Sequence, residues 1–401
     1  MSQGVTYPAG FRAAGIAAGL KPSGRPDLGL LLGGPGTVVA GLFTTNRMPA
    51  APVVVGRQRI AAAEGMVRAV LVNSGQANAA TGQRGAADAE KTTGAAADLL
   101  GLGAQEVLPC STGVIGEPIH LDVLIAALPM VVEALDVDGG GTFARAIMTT
   151  DTVRKVAQAD AGGFRVGGAA KGVGMIAPSL ATMLTFVTTD APVGAADLDG
   201  LARRVLQPRF EAITVDACAS TNDTVLLFAS GAAGGPPVGP GSDGWGALER
   251  AVAEVGDALA AQLIADGEGV SHVLLVDVEG AGDDVEARIV AMAFAESPLV
   301  KTAAFGEDPN PGRILQAVGA AGVEVDASMV DVWVGEAQLV EGGVIPPGYF
   351  ETDRLRAVAA AAMAGAEVPL RVRVGHGPGR SRVLGCDLTY DYVRINGEYT
   401  T

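Results

Sequence analysis

The chain has few of the side chains that most often serve as acids, bases and nucleophiles. Only three histidines (His120, His272, His376) and three cysteines (Cys110, Cys218, Cys386) are spread over its 401 residues. No HExxH, GxSxG or spaced acidic cluster accompanies the histidines, so a Ser-His-Asp triad is poorly supported and no metal site is expected. An odd number of widely spaced cysteines makes neither a disulfide framework nor a zinc pattern, and reads as buried free thiols in a reducing cytosol. Positive charge is scarce as well: 28 Lys and Arg stand against 44 Asp and Glu, for a formal net charge of −16. That balance disfavours nucleic acid or an anionic membrane as the working partner. No apolar run reaches membrane length, and the opening MSQGVTYPAG lacks the basic and apolar parts of a signal segment. The expectation is a soluble, cytoplasmic protein whose anionic substrates are captured by local positive groups and backbone dipoles.

What is abundant is core material. Apolar residues make up 49% of the chain, with 57 glycines to supply turns. The length exceeds a usual single core, which allows one large domain or two intimately packed halves. Strand-like runs at 27–33, 38–44, 68–73, 183–187, 272–278 and 370–374 alternate with helical patterns at 85–100, 121–135, 197–206, 245–264 and 353–363. This alternation predicts an α/β fold with mixed sheets covered by helices. No 20–50-residue period recurs, which argues against a solenoid. The Gly/Pro-rich segment 232–244 reads as a surface loop and not a domain border.

One run stands out, KGVGMIAPSLATMLTFVTTD at 171–190. Thr182 opens an apolar-rich stretch directly after a Gly- and Pro-punctuated loop. If the Ala181–Thr182 bond were cut, Thr182 would carry a free α-amine beside its own hydroxyl. Such an amine has a pKa of roughly 8, so part of it is an unprotonated base at neutral pH. A threonine with its own terminal amine is a complete nucleophile–base pair that needs no histidine. On these residues alone, a strand threonine packed in a core is the commoner outcome.

The same run and eight others, in the same order, resemble the ornithine acetyltransferase family, bifunctional enzymes of arginine biosynthesis that also act as glutamate N-acetyltransferases. They are 5–21 (VTYPAGFRAAGIAAGLK), 41–53, 68–82, 111–119 (STGVIGEPI), 146–152 (AIMTTDT), 220–227 (STNDTVLL), 296–310 and 386–401. The resemblance therefore covers the chain end to end. It implies a four-layer αββα arrangement, similar to but distinct from the N-terminal-nucleophile hydrolases. It implies self-cleavage between Ala181 and Thr182, giving an alpha chain of residues 1–181 and a beta chain of residues 182–401. The two would form one interleaved unit and assemble as a heterotetramer of two alpha and two beta chains.

The resemblance also assigns roles. Thr182 is the nucleophile of a ping-pong acetyl transfer from N-acetylornithine to glutamate, and members with the broader activity also accept acetyl-CoA. Thr112 and Gly113 map onto the oxyanion hole; taken alone, STG is an ordinary turn. Lys171, the only lysine between Lys155 and Lys301, falls in the family's KGxGM substrate motif, where it could hold a carboxylate. Thr149, Glu268, Asn396 and the terminal Thr401 fall on substrate-holding positions, with Thr150 and Thr152 as alternatives to Thr149. No metal or tightly bound cofactor is implied. Ala217, Cys218 and Ala219 depart from the family's Gly, acidic or small residue, and Thr after Asp216. Pro311 replaces a common aromatic, and Ser179 a common asparagine.

Two other classes compete with this reading. Gly172, Gly174 and Ala177 spell GxGxxA, which would suit a nucleotide-dependent oxidoreductase only after a strand and before a helix. FRVGGAAK reads as a poor strand, and Pro178 sits where the helix would run. The other class is a non-catalytic relative that keeps the fold and serves as a binding protein.

Overall fold

A computed structural model describes residues 3–177, 183–350 and 353–398. Ala181, Thr182 and Thr401 lie outside the described residues. The chain divides into two compact units, one of residues up to 211 with 218–263 and the other of residues 212–217 with 264 onward.

The first unit carries nine strands: β1 (Phe11–Ile16), β2 (Leu28–Gly33), β3 (Val38–Phe43), β4 (Ala69–Gln76), β5 (Val107–Val114), β6 (Lys155–Asp160), β7 (Arg165–Lys171), β8 (Leu184–Thr189) and β9 (Thr224–Ala229). They form two sheets of order β1-β2-β4-β5 and β3-β9-β8-β7-β6. Only β4–β5 and β8–β9 are parallel pairs within them. The second sheet takes β3, β6 and β7 from before position 182 and β8 and β9 from after it.

Strand alternation builds the layers. Leu31, Val70, Val72 and Leu108 point to one face of the first sheet, and pack with Ala169, Leu184, Phe186, Leu226 and Phe228 of the second. The intervening Leu30, Leu32, Ala69, Leu71 and Val107 point to the opposite face. There they meet α2 (Gly82–Leu100) and α3 (Leu121–Glu133) through Ala96, Ala97, Leu124, Leu128 and Val131. On the far side of the second sheet lies α7 (Trp245–Ala265). A Cβ at Gly168 would stand 2.8 Å from Leu259 Cδ1, so glycine lets this helix approach the sheet closely. The order helix, sheet, sheet, helix is the four-layer αββα arrangement. Burying each Leu or Phe at these interfaces contributes roughly 1.5–3 kcal/mol before ordering costs. The remaining helices of this unit are α1 (Ala51–Ala62), α4 (Gly140–Ala146), α5 (Ala195–Leu201) and α6 (Gln207–Phe210).

The second unit holds β10 (Val273–Ala281), β11 (Asp331–Val334), β12 (Ala337–Val340), β13 (Glu367–Arg373) and β14 (Gly379–Cys386) in one sheet of order β12-β11-β13-β10-β14. Helices α8 (Asp284–Glu296), α9 (Pro298–Phe305), α10 (Pro311–Gly319), α11 (Asp353–Met363) and α12 (Tyr390–Glu398) accompany it. Val276, Val278, Val290, Phe294, Val332 and Val372 belong to its core.

Several expectations change in detail. Within the segment 164–171, Arg165–Lys171 form the full strand β7, not the poor strand their glycines suggest. Its composition reflects close tertiary approach, since a Cβ at Gly167 would fall 2.0 Å from the Gly4 carbonyl oxygen. The helix expected over 197–206 breaks into α5, a π-helical turn at 202–206 and α6. Pro208 explains this, because it has no N–H to offer the Arg204 carbonyl. Cys110 and Cys386 are buried, but Cys218 is exposed. Residues 232–244 carry no helix or strand and fall inside the first unit.

The departures from the family pattern also acquire physical content. Ala217 sits at φ +56, a left-handed conformation that glycine adopts freely and alanine at a cost of roughly 1–2 kcal/mol. Pro311 occupies the first turn of α10, where its fixed φ is favourable, and Asn310 caps that helix by accepting the Arg313 N–H at 3.1 Å.

Candidate active site

In the first unit, the carboxyl ends of β4 and β5 lie side by side, with Ser74 opposite Thr112 and Gly75 opposite Gly113. Gly113 adopts φ +131, and a Cβ there would meet the Gly75 carbonyl oxygen at 2.2 Å. Only glycine fits, for reasons of both conformation and space. The backbone around Thr112 is fixed by buried amides. Asn222 Nδ2 donates to the Ser111 carbonyl at 2.8 Å and to the Ala77 carbonyl at 2.6 Å. Ser111 Oγ donates to Asn73 Oδ1 at 2.6 Å.

The second sheet contributes Lys171, the last residue of β7 and the cross-strand partner of Leu184. Its Nζ donates to Thr112 Oγ1 at 3.1 Å, and both residues are buried. Two residues that lie far apart in sequence and on different sheets thus meet where the strands end. A threonine hydroxyl has one hydrogen. Because its oxygen accepts from an ammonium, that hydrogen is left to turn toward another acceptor, and the cationic donor polarises it.

One carboxylate organises the surrounding loops. Asp151 Oδ1 accepts from Lys155 Nζ at 2.7 Å and from the Gly172 N–H at 2.8 Å, while Oδ2 accepts the Thr149 N–H at 2.9 Å. Burial alone would raise its carboxyl. The Lys171 and Lys155 ammoniums and the Gly172 amide overcome that and hold it at about 2. Lys171 and Lys155 thus bring two buried ammoniums to this carboxylate, in a chain that is otherwise strongly acidic.

A stability prediction follows from the sign of that shift. The folded pKa lies below the ordinary 3.8, so the stabilisation is complete above about pH 4 and is lost as pH falls toward 2. It amounts to about 2 kcal/mol. Asp151→Asn should remove this acid dependence. It should also cost about 3–5 kcal/mol at neutral pH, by removing the carboxylate that the buried Lys155 ammonium donates to. Thermal unfolding of both proteins across pH 3–7 checks this, and equal melting temperatures at neutral pH would refute it.

Thr182 lies outside the described residues, whereas Met183 and the loop up to Ala177 lie within them. In the preceding loop Gly172 has φ +147 and Met175 φ +50. The latter is an uncommon conformation for a residue with a side chain. After Thr182, the Met183 N–H donates to Asp223 Oδ1 at 2.9 Å, and the Met183 carbonyl accepts the Thr224 N–H at 3.1 Å.

Glu268 and Asn396 belong to the second unit and meet there: Asn396 Nδ2 donates to Glu268 Oε2 at 2.9 Å and to the Tyr392 carbonyl at 3.1 Å. Thr401 lies outside the described residues. Sequence reasoning thus named Thr112, Gly113, Lys171 and Thr149, which cluster, but passed over Asp151, Lys21 and Asp223. Lys21 Nζ donates to the Met148 carbonyl at 2.6 Å and the Pro26 carbonyl at 3.0 Å. Burial, offset in part by Asp27, brings its pKa down to about 8. The four-residue spacing of Asp151 and Lys155 was a usable signal for their pairing. The aspartate just before the wholly apolar run of β9 was a usable signal for Asp223.

The nucleotide-binding alternative is corrected by topology. β7 does precede the glycines, but it pairs antiparallel with β8, whereas a dinucleotide-binding turn needs a helical crossover to a parallel strand. The histidines are dispersed. His272 Nδ1 lies 2.8 Å from the Gly365 carbonyl oxygen, His120 pairs with Glu117 at 3.2 Å, and His376 is exposed.

Two stacked sheets with helical outer layers, and polar groups gathered where their strands end, define an α/β protein of the four-layer αββα class. The chain belongs to the ArgJ family, whose family model matches residues 12–401. It is 46% identical over 405 residues to the arginine biosynthesis bifunctional protein ArgJ of Parasynechococcus marenigrum, covering 100% of this chain and 96% of that protein. The protein of the same name from Mycolicibacterium paratuberculosis is 45% identical, covering 100% of this chain and 97% of its own. A crystal structure of the Bacillus halodurans protein of that name is 37% identical, with a TM-score of 0.50, and covers 53% of this chain and 98% of its own. Among the described residues no helix is long and apolar enough to cross a membrane.

Proposed function

We propose that this chain is a glutamate N-acetyltransferase and ornithine acetyltransferase of arginine biosynthesis, working through an acetyl-threonine at Thr182. The observation that carries the catalytic reading is the Lys171–Thr112 hydrogen bond at the ends of β7 and β5. It prepares a donor hydroxyl beside a glycine N–H on the strand segment that the family resemblance assigns to the oxyanion hole.

The reaction begins with self-cleavage. The Thr182 hydroxyl adds to the Ala181 carbonyl, the Ala181–Thr182 amide bond breaks as an ester forms, and water hydrolyses the ester. This leaves an alpha chain (1–181) and a beta chain (182–401), assembled as a heterotetramer of two of each. The left-handed Met175 in the preceding loop supports stored strain there. In each turnover the Thr182 amine takes the hydroxyl proton as Oγ attacks the acetyl carbonyl of N-acetylornithine. The Thr112 hydroxyl and Gly113 N–H stabilise the oxyanion. The ammonium then returns its proton to the departing ornithine nitrogen. The α-amine of glutamate attacks the acetyl-threonine and loses its proton to the same Thr182 amine; the acetyl–Oγ bond breaks, the ammonium returns that proton to Oγ, and N-acetylglutamate leaves. Acetyl-CoA serves as a second donor through the same acetyl-enzyme.

The Lys171 ammonium, buried beside Thr112, suits a substrate carboxylate. By the family resemblance, Thr149, Glu268, Asn396 and the Thr401 carboxylate hold the rest of the amino acid. The test is steady-state kinetics with N-acetylornithine varied at several fixed glutamate concentrations. Parallel double-reciprocal lines and exchange of labelled ornithine into N-acetylornithine without glutamate are expected. Intersecting lines without exchange would refute the ping-pong route.

A further inference from the structure

Asp223 is fully buried immediately before β9, and its two carboxyl oxygens have different surroundings. Oδ1 accepts the Met183 N–H at 2.9 Å. Oδ2 is buried and has no hydrogen-bond partner among the described residues. The Asp223 main chain is also engaged, its carbonyl accepting the Thr44 N–H at 3.0 Å.

The Met183 nitrogen is the far end of the peptide bond that begins at the Thr182 carbonyl carbon. Asp223 therefore grips that peptide unit by its N–H, while Thr224 holds the next carbonyl at 3.1 Å. We propose that Asp223 is a positioning residue for the nucleophile: by accepting the Met183 N–H, its carboxyl anchors the chain at the residue that follows Thr182. This rests on the reading of Thr182 as the nucleophile. Burial pushes the Asp223 carboxyl well above the usual carboxylate range, with the Met183 amide and Lys171 opposing. That shift favours the neutral form of the carboxyl. Asparagine reproduces that neutral form and keeps the acceptor for Met183, whereas alanine does not.

The test compares wild type, Asp223→Asn and Asp223→Ala as full-length purified protein. Processing is followed by electrophoresis, and kcat and KM for N-acetylornithine are expressed per mole of processed beta chain. Asp223→Asn should process and turn over within about 5-fold of wild type. Asp223→Ala should process slowly and lose about 10²-fold in kcat with KM nearly unchanged, as misplacement of a reacting group does. Thermal unfolding confirms that each variant is folded. A folded alanine variant with wild-type kcat would overturn the proposal, and so would an asparagine variant as impaired as the alanine one. If wild type itself forms no acetyl-enzyme on Thr182, the reading of the nucleophile fails, which is a separate result from a failure of Asp223. If the alanine variant does not fold, Asp223→Asn decides alone: a kcat within about 5-fold of wild type supports the positioning role, and a 10²-fold loss overturns it.

Discussion

Thr182→Ala protein should run as a single uncut chain on denaturing electrophoresis, whereas wild type should give two pieces of 181 and 220 residues, the second being 401 less 181. N-terminal sequencing of the larger wild-type piece should read TMLTF. The expectation follows from using one hydroxyl twice, first on the chain's own Ala181 carbonyl and then on the acetyl group. Losing it removes the cleavage and with it the free amine that serves as base. By analogy with removal of a serine nucleophile, kcat should fall on the order of 10⁶-fold, to whatever the oxyanion donors and binding supply alone. Thr182→Ser keeps a hydroxyl and should still be cut, which separates loss of chemistry from damage to the loop. A fully processed and active alanine variant would contradict the assignment.

The second large effect is expected at Thr112. Valine matches its shape, and Thr112 is buried within β5, so the strand should be retained. What is lost is the hydroxyl that Lys171 Nζ reaches at 3.1 Å. Removing one oxyanion donor typically lowers kcat by about 10²–10³, or roughly 3–4 kcal/mol. Thr112→Val should therefore show that fall in kcat with little change in KM for N-acetylornithine, while Thr112→Ser should retain most of the rate. A change confined to KM would reassign Thr112 to substrate binding. Self-cleavage passes through its own oxyanion, so the processed fraction has to be measured first.

Much of the fold was legible where period and composition agree. The pattern over 353–363 became α11 with those bounds, and the run at 27–33 became the buried strand β2. Strands with small or polar residues were harder to read. β7 is RVGGAAK, and its glycines are dictated by the Gly4 backbone and by Leu259 of α7, neither of which is local in sequence. β5 is VLPCSTGV, whose STG resembles a turn until its parallel pairing with β4 is known. The same limit applies to the site. Thr112, Gly113 and Lys171 were named through family resemblance, but their meeting depends on two sheets stacking, which no local pattern encodes. Asp151 and Asp223 escaped notice because their significance lies in burial and in which amides they accept.

The most direct measurement is intact-mass spectrometry of the purified enzyme, alone and after brief incubation with N-acetylornithine in the absence of glutamate. The chain that begins at Thr182 should gain the mass of one acetyl group, fragmentation should place it on Thr182, and adding glutamate should remove it. A beta chain whose mass stays unchanged under conditions of measured turnover, or an acetyl group carried on another residue, would contradict an acetyl-threonine mechanism.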